Sequence, residues 1–263
     1  MLYQFIEIFD KIKCTFNIWG EIMIKLLWYI YFSIYLSISS LSLFKIKLIR
    51  RKSPAQAERY AFKTAQNISK YVLRVTKTRM IVSGAENIPK ENCVFIANHQ
   101  AIFDGFVLLA YIDKPFGFVA KKEIKKIPLI SDWLEAIGSI YINRQSPRES
   151  IKTIQEGTEK IKSGYSMMIF PEGTRSLESK MNSFKKGSMK LAIKSRACIV
   201  PITIDGSYNI LEVGTKVMGN KINMVIHKPI YVDLLSKEQQ QGLAEYVQDI
   251  IDKELKNICN QKK

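Results

Sequence analysis

His99 and Asp104, in the stretch NHQAIFDG that ends an apolar run, are the pair of residues in this sequence best suited to proton transfer. A carboxylate that holds an imidazole fixes its tautomer and stabilises the imidazolium that forms, as a general base requires. The five-residue step suits a histidine on a loop and an aspartate in the first turn of the next helix, where negative charge is favoured. We therefore predict that His99 is a general base and that Asp104 orients it.

A covalent intermediate on the protein is not expected. The sequence has no G-x-S-x-G elbow, and Cys93 lies inside the apolar run CVFIAN, where a cysteine is typical of the core. Without a protein nucleophile, a His/Asp pair is best used to deprotonate a hydroxyl group of the substrate itself. This predicts direct transfer of a group to an alcohol. The second histidine, His227, has no carboxylate at a useful spacing, and we interpret it as structural.

The four cysteines give no support for a metal site or a disulfide framework. They lie at positions 14, 93, 198 and 259 and show neither a close pair nor the spacing of metal ligands. We expect free thiols in a reducing compartment, no bound metal and no cofactor.

A phosphate site is predicted beside the His/Asp pair. Arg144 and Arg175 each follow an apolar run, and a guanidinium presents a planar fork that matches phosphate oxygens. Gly173 permits a sharp turn and a close approach of the backbone to an anion. We expect Glu172 to bind a substrate hydroxyl or to orient Arg175. Lys185 is a candidate for contact with a phosphorylated donor.

The order of the elements predicts an α/β domain. A helical pattern over Ser53 to about Arg79 precedes short apolar runs that alternate with stretches long enough for helices. The predicted strands are 80–84, 93–98, 116–121, 138–144, 166–173, 198–204 and 223–232, and the predicted helices are 103–112, 127–137, 147–163, 184–196 and 236–258. This alternation predicts a mostly parallel central sheet with helices on both faces. Ligands bind at the carboxyl ends of such strands, where the polar clusters above converge.

The amino-terminal part has a different composition. Leu26 to Phe44 contains 19 residues without a charge, about the length that a bilayer core requires. Five basic residues follow within Lys45 to Lys52 and predict that the rest of the chain lies on the cytoplasmic side. We predict a helical membrane-associating segment with a basic flank over 1–52 and an α/β domain over 53–263. A span, a dip into one leaflet with a turn at the serines of 37–42, and a buried core helix remain alternatives.

The formal net charge of +16 predicts an anionic partner, such as anionic lipid, a phosphorylated substrate or an acidic carrier protein. No helix-turn-helix, zinc-finger or RNP-type motif is present, and we expect no nucleic acid partner. A basic binding protein without catalysis is the alternative from another class. The stretch 120–138 interleaves lysines with apolar residues and Trp133, which is typical of an interfacial helix or of an ordinary amphipathic one.

Four blocks, NHQAIFDG, GSIYINR, FPEGTRS and IVPITI, resemble in order those of the glycerophospholipid acyltransferases, most closely the 1-acylglycerol-3-phosphate acyltransferases. The resemblance runs over most of residues 80–232. It implies transfer of an acyl chain from a thioester of coenzyme A or acyl carrier protein to the sn-2 hydroxyl of lysophosphatidic acid, at a membrane. It implies His99 as base with Asp104, an acyl pocket shaped by Pro201, and a glycerol phosphate held by Arg144, Glu172, Gly173, Thr174 and Arg175.

Two residues depart from the family pattern. Ala101 replaces a serine common in the first block, and Asn143 replaces an aspartate that often precedes the arginine. Neither removes a presumed catalytic group, but both leave the acceptor open. Glycerol 3-phosphate or another lysophospholipid remains an alternative acceptor, and a protein of this kind that has lost activity is a further alternative.

Overall fold

The computed structural model describes residues 23–210 and 219–261. Residues 1–22 of the predicted membrane-associating segment, with Cys14, lie outside the described residues.

One sheet of seven strands forms the centre of the described part of the chain. The strands are β1 Arg79–Ser83, β2 Cys93–Ala97, β3 Phe116–Lys121, β4 Ile140–Ile142, β5 Ser166–Ile169, β6 Cys198–Asp205 and β7 Lys221–Ile226. Their order across the sheet is β1-β7-β6-β2-β5-β3-β4, and every neighbouring pair is parallel except β6 with β7. The prediction of a mostly parallel sheet is confirmed.

The helices are α1 at 23–39, α2 Leu41–Lys52, α3 Pro54–Val75, α4 Phe103–Tyr111, α5 Ile130–Ala136, α6 Pro147–Lys162, α7 Lys190–Ser195, α8 Lys237–Gln241 and α9 Leu243–Asn260. Two of these helices begin with the dipeptide Ser-Pro, in which serine is the N-cap residue. At α3 and α6 the serine hydroxyl, of Ser53 or Ser146, accepts a hydrogen bond from a backbone N–H of the first turn, and the proline follows it. Proline fits there because its missing N–H would have no partner in the helix.

Helices cover both faces of the sheet, as predicted. Side chains alternate between the faces of a strand, so Phe95 and Ala97 of β2 pack in one core with α3 and α4. Val94 and Ile96 point to the other core, with α7 and α9. All five residues of β2 are buried, as expected for a central parallel strand. The predicted base, His99, therefore lies just after a fully buried strand.

The two amino-terminal helices, α1 and α2, are separated by a turn at Ser40, within the predicted serine cluster. The Ser40 hydroxyl donates to the carbonyl of Leu36 at 2.8 Å. Together they form an apolar stretch, Met23–Lys52, that is long and apolar enough to cross a membrane and is mostly exposed. That exposure excludes the alternative of a buried core helix.

Packing and hydrogen bonds join these helices to the α/β domain, and Ile46 of α2 is buried in its core. Trp133 of α5 is buried, and its indole N–H donates to the Ser40 hydroxyl at 3.2 Å. Arg50 of α2 donates to the carbonyl of Ala136 at 3.0 Å. Trp133 is thus a packing residue. This favours ordinary amphipathic packing over an interfacial helix for the second half of 120–138.

Candidate active site

The segment that follows β2, residues 98–104, brings the predicted base and its partner together. His99 Nδ1 lies 2.7 Å from Asp104 Oδ2, and the Asp104 side chain is completely buried at the start of α4. The same oxygen accepts hydrogen bonds from the backbone N–H groups of Gln100, at 2.7 Å, and Ala101, at 2.9 Å. Because a carboxylate in this setting only accepts, Nδ1 carries the ring proton and Nε2 keeps its lone pair for a substrate proton.

The imidazole of His99 also packs with one face against an aromatic ring. It stacks on Phe170, with ring centroids 4.1 Å apart and an angle of 17° between the planes. The His99 side chain keeps 22% of its surface exposed. The ring is therefore fixed in orientation but open at one edge, which is what proton transfer to a bound molecule needs.

Two buried amide side chains fasten this segment to β6. Asn98 donates to the carbonyl of Ile204 at 2.8 Å and accepts from its N–H at 2.7 Å, so its side chain extends the strand ladder. Gln100 donates to Asp205 Oδ1 at 3.1 Å and accepts from the N–H of Gly206 at 2.9 Å. The position of His99 is thus set by the central strands.

Two cationic side chains lie beside a glycine of the loop after β5, residues 170–185, which is named the phosphate loop after the prediction above. Gly173 has φ +76°, and a Cβ atom there would lie 2.9 Å from both Arg144 Nη1 and Lys185 Nζ. Arg144 Nη1 donates to the carbonyl of Gly173. Three of the predicted binding residues therefore meet, and two cations around a glycine backbone suit a phosphate. Thr174 and Arg175 lie exposed on the same loop.

Glu172 was predicted to contact the substrate or Arg175, but the structure places its carboxylate inside the protein. It is 3% exposed, and its oxygens accept hydrogen bonds from the backbone N–H of His99, at 2.6 Å, and of Asn182, at 2.7 Å. Burial raises the pKa of Glu172, and these hydrogen bonds act against that rise. The N–H of Ser176 in turn donates to the carbonyl of His99 at 2.8 Å. Glu172 therefore joins the phosphate loop to the segment of the base.

A cavity of about 360 Å³ lies between the ends of β3, β4 and β5 and the helices α6 and α7. Its wall is mostly apolar, and Arg144, Gly173 and Lys185 also line it. Phe170 belongs to the wall and also stacks on His99, so the cavity begins next to the imidazole. The lining residues are Val119, Ile140, Ile142, Arg144, Pro147, Ser150, Ile151, Thr153, Ile154, Ile169, Phe170, Pro171, Gly173, Lys185, Gly187, Ser188, Lys190 and Leu191. An apolar pocket of this size with convergent polar groups is typical of a small-molecule site.

Pro201 is not brought to this cavity. It is buried within β6, pairs with Ile96 of β2, and accepts a hydrogen bond from the N–H of His227 at 2.9 Å. Lys186 also lies apart. Its side chain is 79% exposed and forms an ion pair with Glu245 at 3.1 Å, whereas Lys185 next to it lines the cavity.

The buried cysteines are unsuited to nucleophilic attack. Cys93 is completely buried, and burial raises the pKa of its thiol to about 12. Burial likewise raises the pKa of Cys198, beside it in the sheet, to about 11. Since the thiolate is the reactive form, neither residue supplies a nucleophile near neutral pH. Within the described residues, no group of three or more His, Cys, Asp or Glu side chains is placed to hold a metal ion.

Four residues that shape the site were not singled out from the sequence: Asn98, Gln100, Phe170 and Ser207. Asn98 and Gln100 flank His99, and a buried polar residue beside a base is a usable signal. Ser207 belongs to the polar triplet Asp205–Gly206–Ser207 directly after the apolar run IVPITI. A fourth strand end with polar residues was therefore visible in the sequence.

The sequence of this chain is similar to those of known acyltransferases. The family model described as Acyltransferase matches residues 79–205. The 1-acyl-sn-glycerol-3-phosphate acyltransferase of Borreliella burgdorferi is 32% identical over 183 residues, which cover 68% of this chain and 73% of that protein. The chloroplastic 1-acyl-sn-glycerol-3-phosphate acyltransferase BAT2 of Brassica napus is 34% identical over 171 residues, 62% of this chain and 49% of that protein.

A solved structure extends the similarity to nearly the whole fold. The crystal structure of the 1-acyl-sn-glycerophosphate (LPA) acyltransferase PlsC from Thermotoga maritima superposes with a TM-score of 0.75 and 27% sequence identity, over 90% of this chain and 96% of that one. The matched region spans about half the length of the chloroplastic relatives from Brassica napus and Arabidopsis thaliana.

Proposed function

This chain belongs to the 1-acyl-sn-glycerol-3-phosphate acyltransferase family, and from this premise we propose that it transfers a fatty acyl group from an acyl thioester to the sn-2 hydroxyl of lysophosphatidic acid. The product is phosphatidic acid, an intermediate of phospholipid synthesis. One observation carries the proposal. The His99–Asp104 pair lies next to an apolar cavity, because Phe170 stacks on His99 and lines that cavity, and the exposed cations Arg144 and Lys185 line it too. A phosphorylated lipid and an acyl chain are the two substrates that such surroundings suit.

The chemistry follows from the fixed tautomer of His99. Its Nε2 takes the proton of the acceptor hydroxyl while that oxygen attacks the thioester carbonyl. The tetrahedral intermediate collapses with cleavage of the carbon–sulfur bond, and the imidazolium returns the proton to the leaving thiolate. Asp104 stays ionised throughout and stabilises the imidazolium. General-base help of this kind contributes about 10²- to 10⁴-fold, and positioning of the two substrates supplies much of the remainder.

The binding roles follow the surface of the cavity. Arg144, Lys185 and the exposed loop residues Thr174 and Arg175 hold the phosphate of the acceptor or of the donor. The apolar wall takes the acyl chain of the donor. Gly173 lets the loop backbone approach the phosphate. Glu172 holds this loop against the segment of His99, and Pro201 acts through β6, the strand that pairs with β2.

We further propose that residues 1–52 attach the enzyme to a membrane with the α/β domain, 53–263, on the cytoplasmic side. Support comes from the apolar side chains that α1 and α2 expose, among them Leu26, Leu27, Ile34, Ile38, Leu41, Phe44 and Leu48. Arg50, Arg51 and Lys52 end α2 and suit anionic head groups. The net charge of +16 suits coenzyme A and acyl carrier protein equally well as donors.

The test is acyl transfer by the full chain purified in detergent. A labelled acyl chain is offered as the thioester of coenzyme A or of acyl carrier protein, with lysophosphatidic acid and glycerol 3-phosphate as separate acceptors. We expect phosphatidic acid from lysophosphatidic acid only, and its loss in His99→Ala. Transfer to glycerol 3-phosphate alone would overturn the acceptor but keep the mechanism. Transfer that persists in folded His99→Ala would overturn the role of His99.

A further inference from the structure

Ser207 lies in the turn after β6 and is fully buried behind the base. Its hydroxyl is close to two acceptors, Asp104 Oδ1 at short distance and Gln100 Oε1 at 3.4 Å. A hydroxyl has one proton to donate, and an ionised carboxylate is a stronger acceptor than an amide oxygen. The proton of Ser207 therefore goes to Asp104.

The two oxygens of Asp104 accept different numbers of hydrogen bonds from the protein. Oδ2 accepts from His99 and from two backbone N–H groups. Oδ1 accepts from Ser207, which is its one donor among the described residues. Because the side chain is completely buried, water does not replace a missing donor without rearrangement. The solvation of half of this carboxylate thus depends on a single hydroxyl.

The backbone holds Ser207 in this place. Gly206 has φ +101°, and a Cβ atom there would lie 2.4 Å from the carbonyl oxygen of Lys221, so glycine is required. The N–H of Gly206 donates to Gln100 at 2.9 Å, which ties the turn to the segment of the base. The backbone of this turn is therefore tied both to β7 and to the segment of the base.

We propose that Ser207 is a positioning residue for acyl transfer, which acts on His99 through Asp104 and does not touch the substrate. The inference rests on the proposed function, in which His99 is the base. Without the donor at Oδ1, the carboxylate holds the imidazolium more strongly, so His99 gives up its proton at higher pH. The carboxylate is also free to rotate, so the ring loses its fixed direction.

The other charged groups near His99 stay the same when Ser207 is changed. Asp104 faces the ring from α4, Glu172 faces it from the phosphate loop, and Asp205 lies behind Gln100. A matched control exists in the same polar cluster. Ser179 donates to Asp205 Oδ1 at 2.6 Å and does not contact Asp104. Ser179→Ala therefore removes a hydroxyl that donates to a carboxylate, but it leaves the hydrogen bonds of Asp104 unchanged.

The experiment compares Ser207→Ala with Ser179→Ala in the full chain in detergent micelles, with two measurements. The first is the titration midpoint of the His99 ring by NMR, which is feasible because the sequence has two histidines and His227→Gln identifies the other signal. We expect the midpoint to rise by roughly half a pH unit in Ser207→Ala and to stay in place in Ser179→Ala. The second is the pH profile of kcat/KM for lysophosphatidic acid, whose acidic limb should move by the same amount, with kcat about tenfold lower.

An unchanged His99 midpoint in folded Ser207→Ala, or an equal shift in Ser179→Ala, would overturn the inference. If Ser207→Ala does not fold, Ser207→Cys retains a weaker donor of similar size and should give an intermediate shift. The NMR measurement needs no substrate. A shifted midpoint in a protein that does not acylate lysophosphatidic acid would support the coupling to His99 and refute the proposed acceptor.

Discussion

The two histidines of the chain lie on either side of the same strand, in opposite surroundings. His99 follows β2 and His227 follows β7, and both strands pair with β6. His99 has an ionised partner, a stacked ring and an open edge beside a cavity. His227 Nε2 lies 2.8 Å from the hydroxyl of Thr203, which also donates to the carbonyl of Ile251 in α9, and burial lowers the pKa of His227. The two histidines thus differ in their partners and in their access to a cavity, and on this difference we base the proposal that His99 is a base and His227 a packing residue.

The same substitution at both histidines tests this comparison most strongly. We expect His99→Gln to lower kcat for lysophosphatidic acid acylation by about 10³-fold, because the proton acceptor is lost. We expect His227→Gln to stay within about threefold of the wild type, because glutamine still offers a partner to Thr203. Initial rates of folded proteins at saturating substrate give the answer. Equal losses in the two variants would refute the distinction.

The charge of Asp104 is the second difference between the two sites. In Asp104→Asn, the amide oxygen still accepts the backbone N–H groups of Gln100 and Ala101, and the amide nitrogen faces Ser207. Packing is thus retained while the charge is removed, and we expect kcat to fall by about 10²-fold or more. Circular dichroism and thermal unfolding serve as folding controls. A variant with wild-type kcat would show that orientation alone, without charge, is sufficient.

Arg144, in the phosphate site that we propose beside His99, gives a third test. Because lysine cannot reproduce the planar fork of a guanidinium, Arg144→Lys should raise KM for lysophosphatidic acid by about tenfold with little change in kcat. Arg148→Lys is the matched control, since Arg148 is exposed on α6 and does not line the cavity. A similar KM in both variants would remove Arg144 from the acceptor site.

The smallest expected effect is that of His227 on the stability of the protein at low pH. His227 has a lowered pKa in the folded state, so its contribution is present above its ordinary value near pH 6.5. As the pH falls through that value towards the lowered one, the unfolded chain takes up the proton first, and stability is lost. His227→Gln should therefore lose less free energy of unfolding than the wild type between pH 7.5 and pH 5.5. Urea unfolding measures it, and parallel pH dependences would contradict the prediction.

The sequence predicted the α/β class, all seven strands and the meeting of polar strand ends, because these depend on hydrophobic period and on the direction of parallel strands. It also placed His99 beside Asp104, since a five-residue step is a local property. The position of Glu172 was not predictable in the same way. Its two hydrogen bonds depend on how a loop folds back over a strand 73 residues away in the chain. Pro201 shows the same limit, because its distance from the cavity is decided by strand order.

The hydrogen bonds between residues 98–100 and the phosphate loop have a consequence for recombination. Glu172 accepts from the N–H of His99, while Ser176 and Leu177 donate to the carbonyls of His99 and Gln100. A chimaera with a relative whose junction falls between residues 101 and 171 combines the segment of His99 from one parent with the phosphate loop from the other. Chimaeras that inherit both segments from one parent should be active far more often than chimaeras that divide them, even though the two segments are distant in the gene.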